Sequence, residues 1–288
     1  MQKEFIKAKK ELTEKEFNEH YKIIFNKPVL DYVKTLVFNL PASCYCNCDY
    51  CIDENLRKTK QSNFKDYINI SRSVLEAFPN INRITITGGT LPSEYFNELV
   101  DLINSYFTDI SITWNTNGVN ITEDYNTDSF NHINLHRYSV NDTVNYSFFK
   151  TNKKILSLKE AKKLFKDKLS IRCVVTKSFD FEEFINQNIP LFLNRLIPPS
   201  EDSDKLFYDI LGMIDLKEDY DRRRNNFYYD GEYNNLPIRM SKGDELYNHI
   251  PNREPVFLNV CIVHRSGIVS GTWFEDDKVL WDGDYFLK

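Results

Sequence analysis

Apolar residues in this chain fall into short runs separated by longer segments with helical spacing, and the two textures alternate from residue 35 onward. Thr35-Leu36-Val37-Phe38-Asn39-Leu40 is a mostly apolar run that suits a buried strand. A helical pattern from Phe64 to Ala77 leads to Arg83-Ile84-Thr85-Ile86-Thr87 as a second strand, and Pro92-Ser93-Glu94 opens a helix that runs through Tyr106. Ile110 to Trp114 reads as a third strand and Ile133 to Ser139 as a fourth, with a polar segment of no clear periodicity between them. A helical pattern from Ser157 to Phe165, a fifth strand Leu169 to Val175, a short helix near Phe181 and a sixth strand Leu191 to Ile197 complete the alternation. Strands alternating with helices predict an α/β fold: a parallel sheet with right-handed crossovers, curving into a partial (β/α)6 barrel.

On either side of this core the texture changes. Glu4 to Phe25 mixes Lys and Glu with Phe5, Leu12, Phe17 and Ile23, the pattern of one or two amphipathic helices, so residues 1–33 are expected to form an N-terminal helical cap. The core spans 34–198. After Pro198-Pro199-Ser200 the chain turns polar and rich in Asp and Arg, then regains β character from Val256 to Leu280, interrupted by Gly267 and Gly271. Residues 199–288 are therefore expected to be a C-terminal β-containing extension, a candidate lid or substrate-binding segment.

Composition narrows the function classes. With 41% hydrophobic and 27% charged residues in 288, the chain can bury a large core as one domain. A net charge of −5 provides no global basic field for a nucleic-acid backbone, so a nucleic-acid partner is not favoured. Met1 to Lys10 lacks the apolar centre of a signal peptide and no stretch is long enough to span a bilayer, which excludes a membrane role and points to the cytoplasm.

Chemistry concentrates in Cys44-Tyr45-Cys46-Asn47-Cys48-Asp49-Tyr50-Cys51, which holds four of the six cysteines in eight positions directly after the first strand. Thiols that close cannot readily bridge one another with acceptable disulfide geometry, and in a reducing compartment they suit a metal centre. Cys44, Cys48 and Cys51 follow the spacing C-x3-C-x2-C, and three thiolates on one loop can hold three irons of a four-iron cluster, leaving one iron open. A zinc site or a redox-sensitive thiol loop are the alternatives; structural zinc usually draws on two separated cysteine pairs, and Cys173 and Cys261 are isolated.

Here the chain resembles the radical S-adenosylmethionine (SAM) superfamily, whose open iron is chelated by the amino and carboxylate groups of SAM. Tyr50 stands where that family carries an aromatic residue near the adenine. Thr87-Gly88-Gly89-Thr90-Leu91-Pro92 ends the second strand at the location of the family's Gly-Gly-Glu-Pro motif, with Thr90 in place of the acid and Glu94 one helical turn on as a substitute. Trp114-Asn115-Thr116-Asn117-Gly118 matches the Thr-Asn-Gly that follows the third strand, and Arg137-Tyr138-Ser139-Val140-Asn141 falls where the family contacts the SAM ribose and carboxylate. The resemblance covers about residues 34 to 197. It implies a [4Fe-4S] cluster on Cys44, Cys48 and Cys51, with Cys46 off the pattern. It implies SAM held by Tyr50, Gly88, Gly89, Thr90, Asn115, Asn117, Ser139 and Asn141, and an electron donor such as flavodoxin or ferredoxin; Arg172, on the fifth strand, is a further candidate to meet the SAM carboxylate, its alternative being an Arg that faces outward.

The implied activity is reductive cleavage of SAM to a 5′-deoxyadenosyl radical that abstracts hydrogen from a substrate. Cys261 is the candidate hydrogen-atom donor, its alternative reading being a plain core cysteine. A peptide and a nucleoside or other small metabolite are both open as substrates, with the aromatic, charged region from Tyr220 to Tyr233 as a candidate peptide groove or a solvated loop. Activation of a glycyl-radical enzyme, and a non-catalytic iron–sulfur or SAM-binding sensor, are the other readings.

Overall fold

In the computed structural model, residues 33–48, 61–196, 200–216, 228–241, 260–271 and 279–281 are described. The expected N-terminal cap helix, Tyr50, Cys51 and residues 220–227 of the candidate groove lie outside them.

The first six strands are β1 (Thr35–Leu40), β2 (Arg83–Gly88), β3 (Ser111–Thr116), β4 (His132–His136), β5 (Leu169–Val175) and β6 (Leu191–Arg195). They lie side by side in chain order and pair in parallel. Between them run α1 (Phe64–Ala77), α2 (Ser93–Tyr106), α3 (Asp142–Phe149), α4 (Leu158–Phe165) and α5 (Phe181–Ile185), and α6 (Glu201–Met213) follows β6. Residues after 199 continue the same sheet through β7 (Asp215–Leu216), β8 (Tyr228–Tyr233), β9 (Leu236–Ser241), β10 (Val260–Val263), β11 (Val269–Ser270) and β12 (Val279–Trp281).

These later strands join both flanks. β9 pairs in parallel with β6, and β10 pairs in parallel with β1, so parallel pairing runs unbroken from β10 to β9. The antiparallel pairs β8–β9 and β10–β11 then lead to the two edges, giving, among the described residues, twelve strands in the order β12-β11-β10-β1-β2-β3-β4-β5-β6-β9-β8-β7. Among the described residues the sheet does not close into a barrel; it is open, with β12 and β7 at its edges.

Alternation along the strands divides the sheet into two unlike faces. In β3 and β5 every second residue is buried, and Ile112, Trp114, Leu169, Ile171, Cys173 and Val175 join one core with the helices. The Phe96 ring of α2 packs tilted against Trp114, with centroids 4.5 Å apart, tying helix to sheet. The residues between them, among them Thr85, Thr113, Asn115, Asn134, Ser170 and Arg172, are half-buried and face the other way. That opposite face is polar, and some of its side chains bond across the strands. Asn134 Nδ2 donates to Asn115 Oδ1 at 2.7 Å and Ser170 Oγ donates to Asn134 Oδ1, so the amide chain follows the register of β3, β4 and β5.

Two helices depart from the pattern read in the sequence. α3 has no clear apolar stripe and is set instead by Asn141, whose side chain accepts from Thr143 N as N-cap. α6, in a stretch that reads as polar, starts at a capping box in which Ser200 and Ser203 bond each other's backbone N–H. β4 and β6 also end earlier than their apolar runs predict, at His136 and Arg195.

Candidate active site at the carboxyl ends of the strands

Because β1, β2, β3 and β4 are parallel neighbours, the segments that follow them gather at one end of the sheet. The cysteine loop follows β1, Gly88-Gly89-Thr90 closes β2, Thr116-Asn117-Gly118 closes β3, and Arg137 to Asn141 links β4 to α3. In parallel α/β sheets this is the end where ligands bind.

The cysteine loop is seated by neighbours from several elements. Asn47 N donates to Phe149 O at the end of α3 (2.7 Å), and Gln61 Nε2 to Ser43 Oγ (3.3 Å). Gly89 packs directly on the loop: a Cβ there would overlap the Ala42 carbonyl oxygen and stand 2.9 Å from Ser43 O. Gly88 has φ +106°, a conformation open to glycine at no steric cost, and a Cβ there would lie 2.9 Å from Leu40 N. The glycine pair thus admits the end of β1 at Gly88 and the loop's own backbone at Gly89, where the motif alone suggests close approach to a ligand.

Cys44, Cys46 and Cys48 form no disulfides, and their thiols converge. The Cys46 thiol pKa is pushed up, first by its hydrogen bonds with Cys44 and Cys48 and then by burial. Cys46 is buried in a small apolar cluster with Val119, Tyr138, Phe149 and Ile155. Among the described residues no three His, Cys, Asp or Glu side chains form a ready metal site. Cys51, the third expected ligand, lies outside the described residues. Thiols converging on one loop are a donor set that fits iron–sulfur chemistry. One position before β1 ends, Asn39 is fully buried with both amide atoms lacking a hydrogen-bond partner, a polar position that a ligand at this end of the sheet would satisfy.

The remaining site residues read from the sequence fall into three groups. Asn117 reaches the cysteines, its Nδ2 lying 3.2 Å from Cys46 Sγ and 3.6 Å from Cys44 Sγ. Thr90, Ser139 and Asn141 are at the same end with local bonds: Thr90 Oγ1 donates to Val119 O (3.3 Å), and Ser139 Oγ accepts from Asn141 N (3.0 Å). Asn115 and Arg172 stand on the polar face. The Arg172 guanidinium lies 4.7 Å from the Phe192 ring centroid and donates to Asn194 Oδ1 at 3.2 Å. Cys261 is not brought to the site. It is fully buried beside Leu36 on the helix-packed face, and desolvation pushes its pKa up. Cys173 has the same surroundings.

Two residues that sequence reasoning passed over shape this end of the sheet. Arg137, fully buried, donates from Nη1 to Asn117 O (2.9 Å) and His136 O (2.8 Å) and from Nη2 to Leu156 O, joining three segments. Asn145, also fully buried, accepts from Tyr138 N (2.8 Å) and donates to Ser139 O (2.6 Å), which fixes the turn after β4. A buried Arg at a strand end looks like any polar turn residue in sequence, and its acceptors are main-chain carbonyls, so no sequence signal marks it.

His136 sits next to Arg172 in register, and burial first, then Arg172 and Arg137, push its pKa down to about 3. An unfolded imidazole takes up a proton near pH 6.5, whereas the folded one refuses it until about pH 3, so acid favours unfolding across that window. Stability carried by this group is expected to fall by at most about 1.4 kcal/mol per pH unit below pH 6.5. Melting curves of wild type and His136→Gln between pH 7 and pH 5 check this, the variant showing the shallower slope.

No protein-family model matches the sequence, and no curated protein matches it. Solved structures do match in fold. The polyhistidine-tagged anSMEcpe with bound AdoMet aligns with a TM-score of 0.55 and 17% identity over 85% of this chain and 76% of that one. Streptococcus suis SuiB bound to S-adenosylmethionine aligns with a TM-score of 0.55 and 16% identity over 89% of this chain. SuiB bound to the precursor peptide SuiA gives 0.55 and 15% over 88%. The chain spans just under two thirds of SuiB, 63% and 62% in the two structures. With its parallel strands in chain order and its cysteine loop at their carboxyl ends, the chain has the fold of radical SAM enzymes.

Proposed function

We propose that this protein is a radical SAM enzyme that modifies a peptide. In this reading Cys44, Cys48 and Cys51 would hold a [4Fe-4S] cluster, and Gly88, Gly89, Thr90, Asn115, Ser139, Asn141, Arg172 and Tyr50 would hold SAM. The observation that carries the reading is the meeting of the cysteine loop with the ends of β2 and β3, through Gly89 packed on Ala42 and Asn117 on Cys44 and Cys46. Bound there, the cluster would supply one electron to SAM, releasing methionine and a 5′-deoxyadenosyl radical able to take hydrogen from substrate. The chain's own contribution is positional. The polar face offers Asn115 and Arg172 to orient a ligand, and the apolar cluster around Cys46 shields that one thiol from water.

Thr90 supplies no charge for the SAM ammonium, and its hydroxyl is already donated to Val119 O; Glu94 on the first turn of α2 is the acid nearest in sequence. A peptide substrate is supported by the likeness to SuiB, whose structure holds the precursor peptide SuiA. Reduction by a flavodoxin or ferredoxin and a cytoplasmic location complete the proposal; no helix among the described residues is long and apolar enough to cross a membrane.

Anaerobic reconstitution with iron and sulfide tests it. The expected result is a cluster signal by electron paramagnetic resonance and 5′-deoxyadenosine formed from SAM with dithionite. A cluster without SAM cleavage would make the protein a sensor, and bound zinc without iron would sink both readings.

A further inference from the structure

We infer that Asn117 is a hydrogen-bond donor to the cysteine sulfurs that raises the reduction potential of the centre they hold, with Arg137 as its positioning residue. The inference rests on the iron–sulfur reading above and adds to it a tuning group that the family pattern assigned to SAM.

The Asn117 carboxamide has its orientation set by the chain. Oδ1 accepts from Val119 N at 3.0 Å, which leaves the NH2 group facing the loop, where it meets Cys46 Sγ at 3.2 Å and Cys44 Sγ at 3.6 Å. With its acceptor turned to the backbone and its donors to sulfur, this side chain is committed to the loop. Its backbone is equally held. Arg137 Nη1 donates to Asn117 O and also to His136 O, and Nη2 donates to Leu156 O, so the residue after β3 is clamped to the end of β4 and to the segment before α4. Arg137 is 0% exposed, and it reaches these carbonyls from within the fold.

An N–H directed at a thiolate stabilises negative charge on sulfur. A cluster gains an electron on reduction, so its reduced form benefits more than its oxidised form, and hydrogen bonds to sulfur are among the factors that set cluster potentials. Cys44 is one of the expected ligands; Cys46, the nearer sulfur, lies between Cys44 and Cys48 and is hydrogen-bonded to both. The amide therefore acts on the ligand set directly at Cys44 and through Cys46.

Redox titration of the reconstituted full chain, followed by electron paramagnetic resonance, tests the inference. Asn117→Leu is expected to lower the equilibrium constant for one-electron reduction about tenfold, a midpoint shift of about 59 mV to lower potential. Arg137→Lys, which keeps the charge and loses the forked geometry, is expected to shift it the same way by less. An unchanged or raised midpoint in Asn117→Leu overturns the inference, because a merely structural role would alter melting and leave the potential in place. Should Asn117→Leu fail to fold, the isostere Asn117→Asp retains the Val119 acceptor and must also lower the potential. In the cluster-free protein the Asn117 side-chain amide resonances, identified by their loss in Asn117→Asp, are expected to move on Cys46→Ser; no movement counts against the bond. A chain that takes up no iron would defeat the functional reading, and the cluster-free resonances would still judge the hydrogen bond.

Discussion

Replacing Cys48 by Ala is expected to abolish iron retention and SAM cleavage, whereas Cys46→Ala is expected to retain iron. Cys48 belongs to the C-x3-C-x2-C spacing, and in the proposed function the loss of this ligand would leave an iron without its thiolate. Outer-shell changes at metal sites typically cost 10–100-fold in affinity or activity, so loss of a ligand should cost roughly a hundredfold or more. Cys46 differs in its surroundings. It is buried against Val119, Tyr138, Phe149 and Ile155, and its removal should appear as a packing loss of about 1 kcal/mol in the melting curve. Iron per chain after anaerobic reconstitution, measured for both variants beside wild type, decides the assignment. Loss of iron in Cys46→Ala with retention in Cys48→Ala would reverse the ligand set.

Arg137→Leu should be the most destabilising single substitution near the site that leaves every cysteine in place. The guanidinium serves the carbonyls of Asn117, His136 and Leu156 from a position with no solvent access, and leucine would leave all of them without this donor. Each orphaned buried acceptor costs about 1–3 kcal/mol, offset in part because burying the charge is itself unfavourable, as the lowering of the Arg137 pKa to about 10 by desolvation indicates. A net loss of about 3 kcal/mol is expected, visible as a drop in Tm of roughly 5–10 °C. A drop under about 1 °C would mean that water reaches those carbonyls and that the clamp is dispensable.

Much of the sheet was legible because its two faces differ. Ile-Thr-Ile-Thr in β2 and the alternation in β5 announce strands with one apolar side, and α1 and β5 have the bounds that their spacing predicts. What local pattern cannot convey is pairing between distant segments. Val260–Val263 reads as a strand, but nothing in those residues says that it lies beside Thr35 to Phe38. α3 escaped because its stability comes from the Asn141 cap and the buried Asn145 amide, neither of which leaves a periodic apolar trace. At the site, the glycines and Asn117 were visible as motif positions, yet their contacts were not: Gly89 meets the loop backbone and Asn117 the sulfurs. Arg137 was invisible as a clamp, since its acceptors are main-chain carbonyls that carry no residue identity.

The parallel pairing of β10 with β1 has a consequence for biosynthesis. β1 leads straight into the cysteine loop, and its outer side is covered by a strand more than two hundred residues later in the chain. At translation speeds of about 5–20 residues per second, that side waits roughly 10–45 s for its partner after β1 emerges. During this interval the strand that leads into the cysteine loop is an edge strand, open to pairing with other chains. The cysteines therefore leave the ribosome well before the sheet around them is complete.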